Sequence, residues 1–278
     1  VIVLAGGDVV LPDRILPRAS VWLDGGRIAA VEPHPRATEH GAQRIDVTGC
    51  YVAPGFIDVH VHGVGGHDAQ DAGAPIAAIA ASLPRYGVTA FCPTTVACAP
   101  DALRHVLDQV RAARADPPRR AARVLPAHLE SNFINPEFRG AQPIECLRRS
   151  VPGDRGAAEG FAAAEVLDLV AGWRQDVGIV TVAPEIEGGL DLVRALASAG
   201  HRVSLGHSGA DFETAVAAID AGARHATHLF NRMTPLRHRA PGLAGAVLAR
   251  DEVAAELICD GFHVHPAMCR IAIAAKGV

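Results

Sequence analysis

The rhythm of apolar positions changes near residue 51. Before it, short apolar or alternating runs at 1–4, 19–23 and 27–31 are separated by Gly6-Gly7, Pro12-Asp13 and Asp24-Gly25-Gly26. Runs of this length between turn residues predict β-strands, and Asp24-Gly25-Gly26 predicts a hairpin. Residues 1–50 are expected to form a small β-sandwich domain without chemistry of its own. Beyond it, short apolar strands alternate with Ala- and Leu-rich stretches of helical length. The pattern predicts strands at 52–59, 88–96, 123–129, 178–183, 202–206, 225–230 and 254–259. It predicts helices near 74–86, 100–115, 160–174, 188–199, 211–222 and 266–276. Such alternation implies parallel strands joined by crossover helices, an α/β fold. An open doubly wound sheet could use seven strands, whereas a closed TIM-like (β/α)8 barrel needs eight. The chemistry below favours the barrel over residues 51–278, with strand eight missing from the sequence. Residues 131–160, rich in Pro, Gly and mixed charge, read as a long functional loop such as a lid or a subunit contact.

Composition narrows the partners. With 49% hydrophobic and 20% charged residues the chain can bury a sizeable core, and with 4% aromatics that core must be aliphatic. The net charge of −4 offers no basic excess to neutralise phosphates, so nucleic acid is not expected as a partner. No apolar run reaches the roughly 18 residues of a membrane span, and the start carries no signal-peptide pattern. None of the six cysteines forms a C-x-x-C pair, which fits reduced thiols and a cytoplasmic protein. The sequence opens on Val1 inside an apolar run and stops at Val278, where strand eight would begin. It is therefore expected to be part of a longer chain.

Candidate chemistry sits at the predicted strand ends. His60 and His62 are two apart on the first barrel strand, so both rings face the same side near its C-terminal end. Barrel active sites lie at that end of the strands. Glu130 ends the third strand, His207 the fifth and His228 the sixth. Imidazole nitrogens with a carboxylate oxygen suit Zn²⁺ or a similar divalent ion. Glu130, His207 and His228 would make one metal site with a position open for water. His60 and His62 would make a second, with Glu130 as a candidate shared ligand. His225 is three residues from His228, so only one of the pair can face the metal, and His228 has the better position. His34, His40, His105, His201 and His238 read as solvated.

These residues fall within recognisable motifs. Pro54-Gly-Phe-Ile-Asp-Val-His-Val-His62 resembles the first metal motif of the amidohydrolase superfamily. His128-Leu-Glu130, Val182-Ala-Pro-Glu185, Gly206-His-Ser208 and Ala226-Thr-His-Leu-Phe-Asn231 are similar to the N-acetylglucosamine-6-phosphate deacetylase branch. So are Pro241-Gly-Leu-Ala-Gly245 and Asp260-Gly-Phe-His263, which are not general to the superfamily. The resemblance runs in order along the whole sequence. It implies a metal-dependent deacetylase of a phosphorylated amino sugar, acting as a homodimer with one or two ions. It also implies that Asn231 and His263 contact the sugar or its phosphate and that Arg239 binds the phosphate, independently a good match for a guanidinium fork. His128 or His263 would donate to the oxyanion.

Two departures touch the substrate loop. Ser131-Asn132 stands where the family usually has Gly-Pro, and Gln142, a candidate substrate contact, stands where it usually has His. The family's catalytic Asp belongs to strand eight, beyond Val278. Two other readings stay open: another amidohydrolase, acting on N-acyl amino acids or cyclic amides, and a non-catalytic metal-binding barrel.

Overall fold

The computed structural model describes residues 1–33, 41–156 and 160–277. His34 and His40 lie outside them. The chain divides into two compact units, Val1–Phe56 and Ile57–Val278.

In the first unit, β1 (Ile2–Val10), β2 (Ile15–Asp24), β3 (Arg27–Glu32), β4 (Gln43–Asp46) and β5 (Tyr51–Val52) belong to one mixed sheet. β2 and β3 are antiparallel and register through Asp24↔Arg27, so Gly25-Gly26 closes the hairpin with both residues at positive φ. Val3, Ala5 and Val9 alternate inward along β1, as a sheet with one buried face requires.

The second unit carries the βα rhythm. In chain order it comprises β6 (Phe56–Val61), a short hairpin of β7 (Gly63–Val64) and β8 (His67–Asp68), α1 (Pro75–Ser82), β9 (Val88–Thr95) and α2 (Pro100–Ala115). There follow β10 (Arg123–Val124), β11 (Ala127–Leu129), α3 (Ala163–Gly172), β12 (Val177–Val182), α4 (Gly189–Ser198), β13 (Arg202–Leu205) and α5 (Phe212–Asp220). The order ends with β14 (His225–Ala226), α6 (Gly242–Ala249), β15 (Ala254–Ala255) and α7 (Pro266–Lys276). β9, β11, β12, β13, β14 and β15 pair in that order, all parallel, with β6 on the outer side of β9. β10 and β11 are two pieces of one strand position, both paired to β9. A hydrogen bond from His60 at the end of β6 to Glu256 just after β15 draws the first and last strands together, so the sheet curls.

Local signals explain the helices. α2 starts at Pro100, whose missing N–H is harmless at a first helical position, and buries Leu103, Val106, Leu107 and Val110 as one stripe. Asp211 caps α5 by accepting from the Thr214 amide at 2.8 Å. α6 was not expected: six of its eight residues are buried, so its sequence shows no amphipathic period. The main core, between sheet and helices, is aliphatic, with Phe91 and Phe133 its largest members.

The inside of the curl is polar instead. Thr181 bonds His128 at 2.9 Å and Thr227 at 2.8 Å, and Thr227 bonds Ser204 at 2.6 Å. His225 joins Ser204 at 3.0 Å. Gly206 passes so close to this cluster that a Cβ there would meet Thr227 Cβ at 2.8 Å.

Part of the 131–160 stretch is packed into the protein. Ser131, Asn132, Phe133, Ile134, Leu147 and Arg148 are all buried. The Arg148 guanidinium donates to the carbonyls of Glu145, Leu147 and Phe161 and stacks on the Phe161 ring at 3.8 Å. His201 corrects another expectation: it is buried and bonds the Val177 carbonyl at 3.1 Å.

Candidate metal centre

Four strand ends bring five side chains together. Oε1 of Glu130 lies 2.8 Å from Nε2 of His207 and 2.9 Å from Nε2 of His228, and those two nitrogens are 3.0 Å apart. On the other side of Glu130, Nε2 of His60 and Nε2 of His62 are 3.1 Å apart. His62 Nε2 stands 3.4 Å from Glu130 Oε2, and His60 Nε2 3.7 Å from Oε1. The carboxylate thus sits between two pairs of imidazoles. The inner pair is closed in, with the His207 side chain 4% exposed, and His62 at 37% marks the open side.

The backbone is bent to achieve this. His207 and His228 have φ of 48° and 31°, a left-handed conformation that L side chains seldom adopt. Strain of this kind persists where surrounding contacts over-determine it, and it clusters at functional sites.

Ring protons decide what the cluster can hold. His207 Nδ1 donates to the Phe138 carbonyl at 2.9 Å, so the neutral ring turns the bare lone pair of Nε2 towards Glu130. His60 Nδ1 faces Glu256 Oε2 at 2.7 Å, which likewise leaves a lone pair on Nε2. Among the described residues His228 Nδ1 has no hydrogen-bond partner. Burial alone would raise the Glu130 pKa, but the close side chains of His207, His228 and His62 hold it well below the usual carboxylate range. An ionised carboxylate and several lone pairs converging within about 3 Å repel one another unless a cation lies between them. Tetrahedral zinc, with ligands at about 2.0–2.1 Å, sets its donors roughly 3.3 Å apart, close to what this cluster offers. The residues fit a divalent ion. Burial pushes the Cys92 and Cys98 thiols up to about 12, so neither supplies a thiolate.

The other expected residues are placed as follows. His128 is fully buried, with Nδ1 on the Val59 carbonyl and Nε2 on Thr181, and burial lowers its pKa to about 3. Both ring nitrogens are engaged inside the protein, which leaves no donor for a substrate. Gln142 is also buried; its amide donates to Glu130 Oε2, and its oxygen accepts the Ala97 amide at 2.7 Å. Ser131 bonds the Thr181 carbonyl, and Asn132 bonds the carbonyls of Cys98 and Cys146. The departures from the family motif are therefore satisfied within the protein. His263 Nδ1 bonds Asp260 at 2.7 Å on an exposed segment. Arg239 lines a cleft of about 470 Å³ together with Asp211 and Glu213; Asn231 and His263 are not among its lining residues.

Sequence reasoning missed Glu256. It lies within a short apolar stretch without a motif, and the ring it contacts is 196 residues away.

The chain matches no family model. It is 38% identical to the N-acetylglucosamine-6-phosphate deacetylase of Bos taurus over 278 residues, 95% of this chain and 64% of that enzyme. It is 36% identical to the N-acetylgalactosamine-6-phosphate deacetylase of Escherichia coli O157:H7, over 93% of this chain and 66% of that enzyme. The structure of the Mycobacterium smegmatis N-acetylglucosamine-6-phosphate deacetylase, solved as a mutant in complex with N-acetylglucosamine 6-phosphate, superposes with a TM-score of 0.84 at 30% identity. That superposition covers 99% of this chain and 68% of the other. The chain belongs to the N-acetylglucosamine-6-phosphate deacetylase family. It spans somewhat under two thirds of the length of the curated deacetylases it matches. The curled parallel sheet is accordingly part of the amidohydrolase barrel of this family, and the cluster around Glu130 stands at the C-terminal ends of its strands, where such barrels carry their chemistry. Among the described residues, no helix is long and apolar enough to cross a membrane.

Proposed function

We propose that the intact protein hydrolyses the acetamide of N-acetylglucosamine 6-phosphate to glucosamine 6-phosphate and acetate. The convergence of Glu130, His207 and His228 within 3.0 Å is the observation that carries this reading. Family membership supplies the substrate class.

Glu130, His207 and His228 would hold one ion, and His60 and His62 a second on the more open side. The mixed nitrogen and oxygen donor set favours zinc. When bound, such an ion supplies Lewis acidity, lowering the pKa of water and polarising the acetamide carbonyl. Phe138 fixes the His207 tautomer through its carbonyl, and Gln142 holds the second oxygen of Glu130, so the donors are set before a substrate arrives. On the substrate side, Asp260 accepts the Nδ1–H of His263 and leaves Nε2 as an acceptor for a sugar hydroxyl. Asn231 is assigned to the sugar and Arg239 to the 6-phosphate. His128 is assigned a structural link between β6 and β12. Proton delivery to the leaving amine belongs, by the resemblance, to an Asp of strand eight. All six cysteines are free thiols, in keeping with a cytoplasmic enzyme, and a homodimer is the assembly the resemblance suggests.

Acetate release from N-acetylglucosamine 6-phosphate, its galactosamine epimer and unphosphorylated N-acetylglucosamine tests the reading. The expected result is turnover of the first that a chelator abolishes and zinc restores. Its failure to turn over with zinc loaded, or a clear preference for the bare sugar, would overturn the assignment.

A further inference from the structure

Glu256 follows β15 and is half-buried beside the His60–Glu130 cluster, its side chain 10% exposed. Its Oε2 accepts two hydrogen bonds: from His60 Nδ1 at 2.7 Å and from the His228 backbone amide at 3.1 Å. Its Oε1 lies 3.6 Å from His128 Nδ1 and 3.7 Å from His225 Nδ1. Alternate strands of a (β/α)8 barrel share interior layers, which is how residues at β6, β11 and β15 come to one level.

The consequence falls on His60. A neutral imidazole that donates its Nδ1–H to a carboxylate presents Nε2 as a lone pair, and the carboxylate holds that ring in one orientation. His60 Nε2 points at His62 Nε2, 3.1 Å away. The Val59 carbonyl already occupies His128 Nδ1, so Glu256 has His60 as its one close side-chain donor among the described residues. A carboxylate serving packing alone would have no need to meet the far nitrogen of a candidate ligand ring.

We propose that Glu256 is the positioning residue of the His60–His62 ion position: it fixes the His60 tautomer and sets a negative charge behind the ring, and so decides whether the second ion is held. The inference rests on the metal-site reading above. It assigns no contact between Glu256 and the substrate or either ion.

The test is ion binding, not turnover. The intact protein is stripped with a chelator and titrated with Zn²⁺ alone against a chromophoric competitor, so that ions per chain and their affinities are read directly. The unmodified protein should take up two ions. Glu256→Ala should weaken one of them by roughly 10–100-fold, the range for residues that orient ligands, and leave the other unchanged. Glu256→Gln retains an oxygen for both N–H donors but no charge, and should weaken the same ion by less. His60→Ala should weaken that ion further, and adding Glu256→Gln to it should cause no additional loss. Unchanged affinities in Glu256→Gln, a Glu256→Gln loss that persists without His60, or one ion in the unmodified protein would overturn the inference. Two ions in the unmodified protein with no effect of Glu256→Gln would leave the metal-site reading standing, whereas no ion in the unmodified protein would end both. Should Glu256→Ala fail to fold, the Gln variant and the His60 background carry the test.

Discussion

Nε2 of His207 and Oε1 of Glu130 stand 2.8 Å apart although 77 residues separate them, and the Phe138 carbonyl holds the proton on the far side of the His207 ring. In the neutral tautomer that this bond selects, two acceptors face each other. The strained φ at His207 and the polar interior of the curl serve the same arrangement.

Gln142 should matter for stability before it matters for substrate. It is buried, and it is the partner of both the Ala97 amide and Glu130 Oε2. Gln142→Ala leaves the Ala97 N–H without its acceptor and should lower the unfolding free energy by about 1–3 kcal/mol. Urea denaturation of the metal-free protein measures it. An unchanged midpoint would show that water replaces the side chain.

Arg239 should separate phosphorylated from bare substrates. Loss of a charge-assisted contact to phosphate is worth roughly 1.5–3 kcal/mol, so Arg239→Ala should lower kcat/KM for the 6-phosphate by about 10–150-fold. Turnover of the unphosphorylated sugar should not change. Equal losses on both would make Arg239 a structural residue.

Stability should fall with acid earlier than carboxylates alone would cause. Burial lowers the pKa of His128 to about 3 and lowers those of His201 and His225. An unfolded imidazole, near 6.5, takes up a proton that the folded ring refuses. Each ring therefore contributes stability that is complete above pH 6.5 and is lost as pH falls towards the folded value. For His128 the slope approaches about 1.4 kcal/mol per pH unit within that window. Glu256, despite burial that would raise it, is lowered to about 2 chiefly by its hydrogen bond with His60, and Glu130 is held low as well. Their contributions have the same sign and begin to fade only below about pH 4.5. Unfolding of the metal-free protein by urea should thus weaken already between pH 6.5 and 5. A flat profile there would mean that these rings are hydrated or charged in the folded state.

Much of this was legible in the sequence because the signals were local. The hairpin at Gly25-Gly26, the α2 stripe from Leu103 to Val110 and the strand-end placement of His60, Glu130, His207 and His228 all follow from spacing. What escaped depends on tertiary context. α6 is buried almost all round and so has no polar face to reveal its period. His201 lies just past a helix end, yet the Val177 carbonyl draws its ring inside. His128 and Gln142 sit in motif positions that suggested substrate contacts, but their partners, Thr181 and Ala97, come from parts of the chain 53 and 45 residues away. Glu256 offered no local sign, because its meaning lies in His60 across the curl.

The central claim is that Glu130, His207 and His228 hold a divalent ion. Anomalous diffraction at the zinc edge, from crystals of the zinc-loaded intact protein, tests it most directly. The account predicts a peak about 2.0–2.1 Å from His207 Nε2 and His228 Nε2 and within bonding distance of Glu130. A map without a peak between these three side chains, or with zinc bound only elsewhere on the protein, would contradict it.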